Sequence, residues 1–366
     1  MNNRERIINT VLCKEVDRLP LTFFFPPWDE TLERWHREGL KQGSDWRKEL
    51  GLDPGFEVVD TKMDLTQVVN LNFNPGFKRI ILEEKENTRI VRDQFGVVLE
   101  ENKKSWSLPR FIKNPVENRK DWEELKAHRL NPHDPGRFPK NWSEVVRHFN
   151  QSETVAQIGF YPHGLFGFAR ELMGVDGLLI KFYDDPGLIK DIMDYMTDFW
   201  ITIYEKICKE IRVDCIHMWE DMSGKNGPLI SPDMVRKFMM PNYKKIKAFA
   251  NGHDIKIFSL DTDGDVSKLI PLFMECGINL VFPFEVAAGC DIVEYRRKYP
   301  TLGIMGGIDK REIAKGKTSI DRELERISGI FKHSGYIAAL DHLPHPEISW
   351  GDFKYFTKRL CEIIGA

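Results

Sequence analysis

The chain has 366 residues, with 53 Lys and Arg against 56 Asp and Glu, a formal charge of −3 and 42% hydrophobic residues. That length suits one large α/β barrel or two ordinary domains, and the even charge balance, with no basic stripe, argues against a nucleic-acid partner. No apolar run approaches the roughly 20 residues a membrane helix needs, and the charged start Met-Asn-Asn-Arg-Glu-Arg shows no secretory signal, so a cytoplasmic protein with no membrane partner is expected.

Residues 3–16 predict an amphipathic helix with Ile7, Ile8, Val11 and Leu12 on one face. The run LPLTFFF, residues 19–25, predicts the first strand, ended by Pro26-Pro27-Trp28-Asp29. Residues 29–50 look helical. Residues 56–112 carry β-branched alternation and turn residues, the mark of inserted hairpins or a small β subdomain, with a barrel strand placed around Phe56–Asp60. A polar, proline-rich stretch follows, with a helix near 118–127. From Glu153 onward the rhythm is regular: VAQIGF, VDCIHM, IKIFSL, INLVFP, TLGIMGG and GYIAAL are continuous apolar runs, as buried parallel strands require. Asp185-Pro186, Ser231-Pro232 and Ser349-Trp350-Gly351-Asp352 mark helix starts, and Asp265 is expected to cap a helix stopped at Cys276-Gly277. Together these predict a single α/β domain over 1–366, a (β/α)8 TIM barrel with an inserted β-hairpin segment at about 56–112.

Polar residues just past the carboxyl ends of barrel strands face one mouth. Trp219-Glu220-Asp221 can orient a substrate or bind a cation, or one acid caps the following loop. Strand alternation puts His217, Trp219 and Asp221 on one face, with His217 either in the site or a buried, hydrogen-bonded histidine. Asp261-Thr262-Asp263-Gly264-Asp265 crowds carboxylates that repel unless a cation is near or one keeps its proton. A helix–loop–helix calcium loop fails there, because the glycine comes one step early and Leu272 stands where the bidentate Glu belongs. A divalent-metal or polar-substrate site remains, against plain loop hydrogen bonding. In Asp341-His342 the imidazole suits acid/base work or metal ligation. The catalytic candidates are therefore His342, Glu220, Asp341 and His163, and the metal candidates Asp261, Asp263 and His342. Glu285 stands past its strand as a ligand or substrate contact, and Gly306 allows close backbone approach to a ligand. Trp28, Tyr161 and Trp219, with Phe23, Phe24 and Phe25, form either a wall for an apolar substrate or core. The six cysteines show no paired spacing and read as reduced, with Cys290, past a strand end, the one that bears watching.

These residues resemble the uroporphyrinogen decarboxylase superfamily, most strongly from Ile158 onward. Ile158-Gly159-Phe160, Trp219-Glu220-Asp221-Met222-Ser223-Gly224, Met305-Gly306-Gly307-Ile308-Asp309 and Leu340-Asp341-His342 stand in the order of its motifs. The resemblance implies a single barrel. The decarboxylases of the family hold substrate carboxylates with arginines at the first strand, where Pro20 to Asp29 here offer none. The family's other branch comprises methyltransferases that work with corrinoid proteins, several of them binding zinc through H-x-C and a later Cys. Here Asp261-Thr262-Asp263-Gly264 stands where H-x-C-G would fall, and Asp341-His342 near the second Cys, so either zinc or another divalent metal sits on carboxylate and imidazole, or no metal is bound. Such a harder ligand set would polarise an oxygen of the methyl donor rather than activate a thiol. The resemblance thus implies a methyltransferase passing a methyl group from a small methylated or methoxylated substrate to a corrinoid protein. A decarboxylase of a smaller carboxylated substrate and a non-catalytic small-molecule or corrinoid-binding barrel are the alternatives. A homodimer is expected, though no segment specifies its interface.

Overall fold

The computed structural model describes residues 1–62, 68–103 and 109–366. Its strands are β1 (Phe56–Val58), β2 (Ile80–Glu84), β3 (Thr88–Arg92), β4 (Val98–Asn102), β5 (Arg110–Lys113), β6 (Val155–Ile158), β7 (Cys215–Trp219), β8 (Ser223–Gly224), β9 (Gly227–Pro228), β10 (Ile257–Asp261), β11 (Leu280–Phe282), β12 (Gly303–Met305) and β13 (Tyr336–Ile337). Seven of them form one parallel sheet in the order β1-β6-β7-β10-β11-β12-β13, each beside its neighbour in the chain. A bridge between Ile308 and Leu340 extends the pairing past β12 and β13. These strands are buried along their length from β6 onward, which explains why their sequences are continuous apolar runs.

The expected eighth strand is not formed: the run 19–25 makes no ladder, so the sheet has seven strands rather than the eight of a closed barrel. Pro20 and Pro26-Pro27 lack the N–H groups a ladder needs and leave a short run between them. Its backbone is tied instead to Asp53, whose N–H donates to the Leu21 carbonyl and whose carboxylate accepts the Leu21 N–H, each at 2.9 Å. Side chains still alternate as in a strand. Phe23 packs outward on Trp46, Phe353 and Phe356, while Phe24 turns inward against Phe56, Phe160 and Phe282. Phe25 reaches His342 beyond the opposite edge of the sheet. Aromatic packing thus fills the gap that hydrogen bonds leave open.

The insertion is narrower than expected. β1 belongs to the parallel sheet, pairing Phe56 with Val155, and the inserted part is the antiparallel meander β2-β3-β4-β5. The turn between β3 and β4 is pinned by the Asp93 carboxylate, which accepts the N–H groups of Phe95 and Val97 at 2.9 Å each. This turn brings Phe95 edge-on to Tyr161, at 6.4 Å between centroids, so the insertion leans over the mouth next to β1 and β6.

Among the helices, Asp185, Ser231 and Ser349 cap the starts of Pro186–Cys208, Pro232–Met234 and Trp350–Ile364 through side-chain oxygens. Two expectations are corrected. The first helix stops at Val11, and the helical stretch 29–50 is broken into Asp29–Arg37 and Trp46–Glu49 by the turns around Gly39 and Gly43. Asp265 caps no helix; its carboxylate accepts the Ser267 N–H in a turn, and the helix Ile270–Glu275 begins later, stopping before Gly277 at φ +83°. Among the described residues no helix is long and apolar enough to cross a membrane. All six thiols are free, and burial pushes that of Cys290 up to about 11, which leaves it unreactive.

Candidate active site

The two acids after β7 do different work. Glu220 is fully buried, and its carboxylate accepts the N–H groups of Leu165, Phe166 and Gly167 at 2.9, 2.7 and 3.1 Å and the Tyr243 hydroxyl at 2.6 Å. Those three N–H groups open the helix Leu165–Met173, so Glu220 closes a helix start from a distant strand. Burial pushes its pKa up to about 7 despite four donors. With both oxygens taken, Glu220 anchors the mouth rather than facing it.

Asp221 turns into the left-handed region at φ +41°, which Asp tolerates better than most residues. Arg170 holds it there, donating to its carbonyl at 2.8 Å and pairing with its carboxylate. The same guanidinium lies 5.4 Å from the Trp219 ring, and Trp219 meets Tyr161 edge-on at 4.7 Å. At the end of β10, Asp261 is 6% exposed, and its carbonyl accepts the N–H groups of Glu220 and Asp221. Burial, then the negative charges of Asp263 and Asp221, raise its pKa well above the usual carboxylate range, which favours its protonated form. Asp263 faces His342, Oδ2 to Nε2 at 3.6 Å. Glu285 accepts the Gly264 N–H at 2.9 Å and stands 3.8 Å from Lys310. Asp341 is buried and bridges two loops, accepting the N–H groups of Val286 and Lys310 at 3.0 and 3.1 Å.

The mouth therefore holds Asp221, Asp261, Asp263, Glu285 and His342, with Arg170 and Lys310 as its cations. The expected metal trio does not assemble. Asp263 and His342 approach each other, but among the described residues no three His, Cys, Asp or Glu side chains are grouped to hold a metal ion. The Cys290 thiol is buried beneath the same loop, donating to the Gly264 carbonyl at 3.4 Å.

Beneath the acids the barrel is apolar. His217 stacks on Phe282 at 5.3 Å, lies 5.6 Å from Phe24, and bonds the Ser259 hydroxyl through Nδ1 at 2.9 Å. Burial lowers its pKa to about 3, so it is a neutral interior ring. A narrow cavity opens between Phe25, Phe282, Gly306, Leu340 and His342. Gly306, at φ +101°, is required by protein packing as well: an added Cβ would lie 2.1 Å from the Pro283 carbonyl oxygen. His163 is also buried, its pKa lowered to about 3 by desolvation. Its Nδ1 accepts the Phe160 N–H at 3.2 Å, which puts the proton on Nε2, and that atom has no partner. Trp28 is 40% exposed at the start of its helix, with its N–H on the Pro344 carbonyl.

Four residues were missed from sequence. Arg170 is the charged group in the otherwise apolar start Leu165 to Ala169, and that contrast was its signal. Asp60, past β1, is fully buried, accepts the Gly159 N–H at 2.7 Å and the Thr61 hydroxyl at 3.0 Å, lies 3.9 Å from His163, and is pushed up to about 6 by burial. Tyr243 and Lys310 sit in ordinary helical contexts and gave no signal.

A family model described as uroporphyrinogen decarboxylase (URO-D) matches residues 89–362, which contain every strand of the parallel sheet except β1. No curated protein matches the chain by sequence. Among solved structures, a methyltransferase from Methanosarcina mazei is similar at a TM-score of 0.60, over 99% of this chain and 99% of its own, with 16% identity, a likeness of fold. Matched along most of its length, the chain belongs to the uroporphyrinogen decarboxylase family.

Proposed function

We propose that this chain is a methyltransferase that takes the methyl group of a small O-methylated substrate and passes it to a reduced corrinoid carried by a partner protein. The observation that carries the reading is Asp261, a buried carboxyl in an acidic mouth whose protonated form is favoured by burial and by the charges of Asp263 and Asp221. Breaking a methyl–oxygen bond leaves an alkoxide or phenoxide, a poor leaving group unless a proton reaches the oxygen as the bond breaks. A carboxylic acid held neutral by burial and like charges is suited to that donation. The Asp263–His342 pair can return the proton from solvent. The corrinoid enters as a substrate, and no step is assigned to zinc, because the residues present do not fit it. A porphyrinogen with many carboxylates is a poor match, since Arg170 is already bound to Asp221, Lys310 stands beside Glu285 and Asp341, and acids outnumber these cations. The fold likeness to a methyltransferase supports the same choice.

The test is a methyl-transfer assay with 2-methoxyphenol as donor and free cob(I)alamin, kept reduced with titanium(III), as acceptor. Formation of methylcobalamin, reduced about 100-fold in Asp261→Asn, is expected for a general acid. Carbon dioxide release from a carboxylated analogue, with no methyl transfer from any ether tried, would replace this reading with a decarboxylase.

A further inference from the structure

Glu285 and Lys310 come from neighbouring loops, past β11 and β12, and one buried carboxylate sets both. Asp341, 1% exposed, accepts the Lys310 N–H through one oxygen at 3.1 Å and the Val286 N–H through the other at 3.0 Å. The Glu285 carbonyl in turn accepts the N–H groups of Ala288 and Cys290, at 3.1 and 3.2 Å. Both backbones are therefore fixed to a common frame. The two side chains meet beside Gly264, and both stay open to solvent, Lys310 19% exposed and Glu285 23%.

The two head groups stop short of each other. Nζ of Lys310 stands 3.8 Å from Oε1 of Glu285 and 3.9 Å from Oδ1 of Asp341, both beyond hydrogen-bond reach. The other Glu285 oxygen is taken by the Gly264 N–H at 2.9 Å, and both Asp341 oxygens by backbone N–H groups. Among the described residues the ammonium meets no acceptor at hydrogen-bond distance, and Oε1 meets no donor. An oxygen atom about 2.8 Å from each fits between groups at this spacing. It must accept from the ammonium and donate to the carboxylate, which a hydroxyl does and an ether or a carboxylate does not. Charge selects the same way. Lys310 is already matched by Glu285 and Asp341, so an added anion finds no spare positive charge. The pair also adjoins the Asp263–His342 contact, because Gly264 follows Asp263 and Asp341 precedes His342 in the chain.

We infer that Lys310 and Glu285 form a hydroxyl-binding subsite at the edge of the mouth, where the ammonium donates to, and the Glu285 carboxylate accepts from, one hydroxyl group of an uncharged substrate. The inference rests on the methyl-donor reading for the rest of that substrate, which makes it an ether that also carries a free hydroxyl, the chemistry of a methoxyphenol. The subsite separates such donors from ethers without a hydroxyl and from carboxylated rings.

Calorimetric titration of the full chain at about pH 7, where a phenol is neutral, tests this with 2-, 3- and 4-methoxyphenol, methoxybenzene and 2-methoxybenzoate as probes. The best methoxyphenol should bind at least about 10-fold tighter than methoxybenzene, and the benzoate more weakly than either. Lys310→Met keeps the reach of the side chain and removes its donors. In it the methoxyphenol should come within about twofold of methoxybenzene, which itself binds as before. Glu285→Gln keeps an oxygen for the Gly264 N–H and removes the charge, and should weaken the methoxyphenol alone by about threefold or more. Should Lys310→Met melt early, Glu285→Gln carries the test. A merely structural role would weaken both neutral probes together, so a parallel loss overturns the subsite. Equal affinity of the neutral probes for the unaltered chain, the mark of a gap that holds water only, overturns it too, as does tighter binding of the benzoate or no binding of any methoxyphenol. The expected discrimination without methyl transfer removes the proposed reaction and keeps the subsite. Methyl transfer with discrimination that neither variant changes does the reverse.

Discussion

Nε2 of His342 and Oδ2 of Asp263 stand 3.6 Å apart, a contact that links the end of the last strand to the acids past β10. Two such groups make half of a tetrahedral metal site, and the third expected ligand, Asp261, is instead buried with its pKa raised. Elemental analysis of the purified chain should therefore find well under one divalent ion per molecule. A full equivalent of zinc that disappears in an Asp263→Ala, His342→Ala double variant would contradict this.

Asp261 supplies a sign for the pH dependence of turnover. Its protonated form is the active one, and burial with neighbouring charges raises its pKa. In the proposed reaction the rate should fall as pH rises through that raised value. Asp261→Asn keeps the shape of the side chain but has no proton to give, so its residual rate should lack the alkaline fall. A wild-type rate that climbs steadily with pH would show that a base, not this acid, governs the step.

Glu220 and Gly164 should be intolerant for structural reasons. Removing the carboxylate in Glu220→Ala strands three helix N–H groups and a buried tyrosine hydroxyl, at a cost of about 3 kcal/mol or more. Gly164→Ala would set a Cβ 1.8 Å from the Trp219 carbonyl oxygen and 2.9 Å from a Glu220 oxygen, forcing the helix start away from its anchor. Urea unfolding should show both variants with lower midpoints. A Glu220→Ala protein as stable as wild type would mean that water replaces the cap.

His217 contributes to stability with a defined sign. Its folded pKa is lowered to about 3 from 6.5, so the unfolded chain binds the proton first as pH falls. Its contribution is complete above the unfolded value and shrinks on acidification toward the folded one. Between pH 7 and pH 5 the wild type should lose about 2 kcal/mol relative to His217→Phe. Urea titrations of both proteins at the two pH values measure this; a gap that does not change with pH would mean that His217 is charged or solvated in the fold.

Six of the seven parallel strands after the first run were legible because burial on both faces keeps IKIFSL and VDCIHM mostly apolar, with Ser259 and His217 bonded to each other inside, and β1 was found at Phe56–Val58. The acids at the strand ends were legible for the same reason, as abrupt changes from apolar to charged. LPLTFFF misled because apolar character reports burial, whereas a ladder also needs free N–H groups, and prolines flank that run. The roles of adjacent acids were not readable. Glu220 and Asp221 are neighbours in the chain, yet one turns into a helix start contributed by residues 165–167 and the other onto Arg170.

The sequence by itself determined the strand order, the family and the ring of candidate side chains, since these depend on local polarity and on order along the chain. Only the tertiary structure decided which acid has its pKa raised, which caps a helix, that the three metal candidates form no common cluster, and that the insertion borders a cleft beside the mouth. Each of those depends on distances and desolvation set by elements far apart in sequence, and electrostatic free energies in a buried site follow those distances rather than the residue types alone.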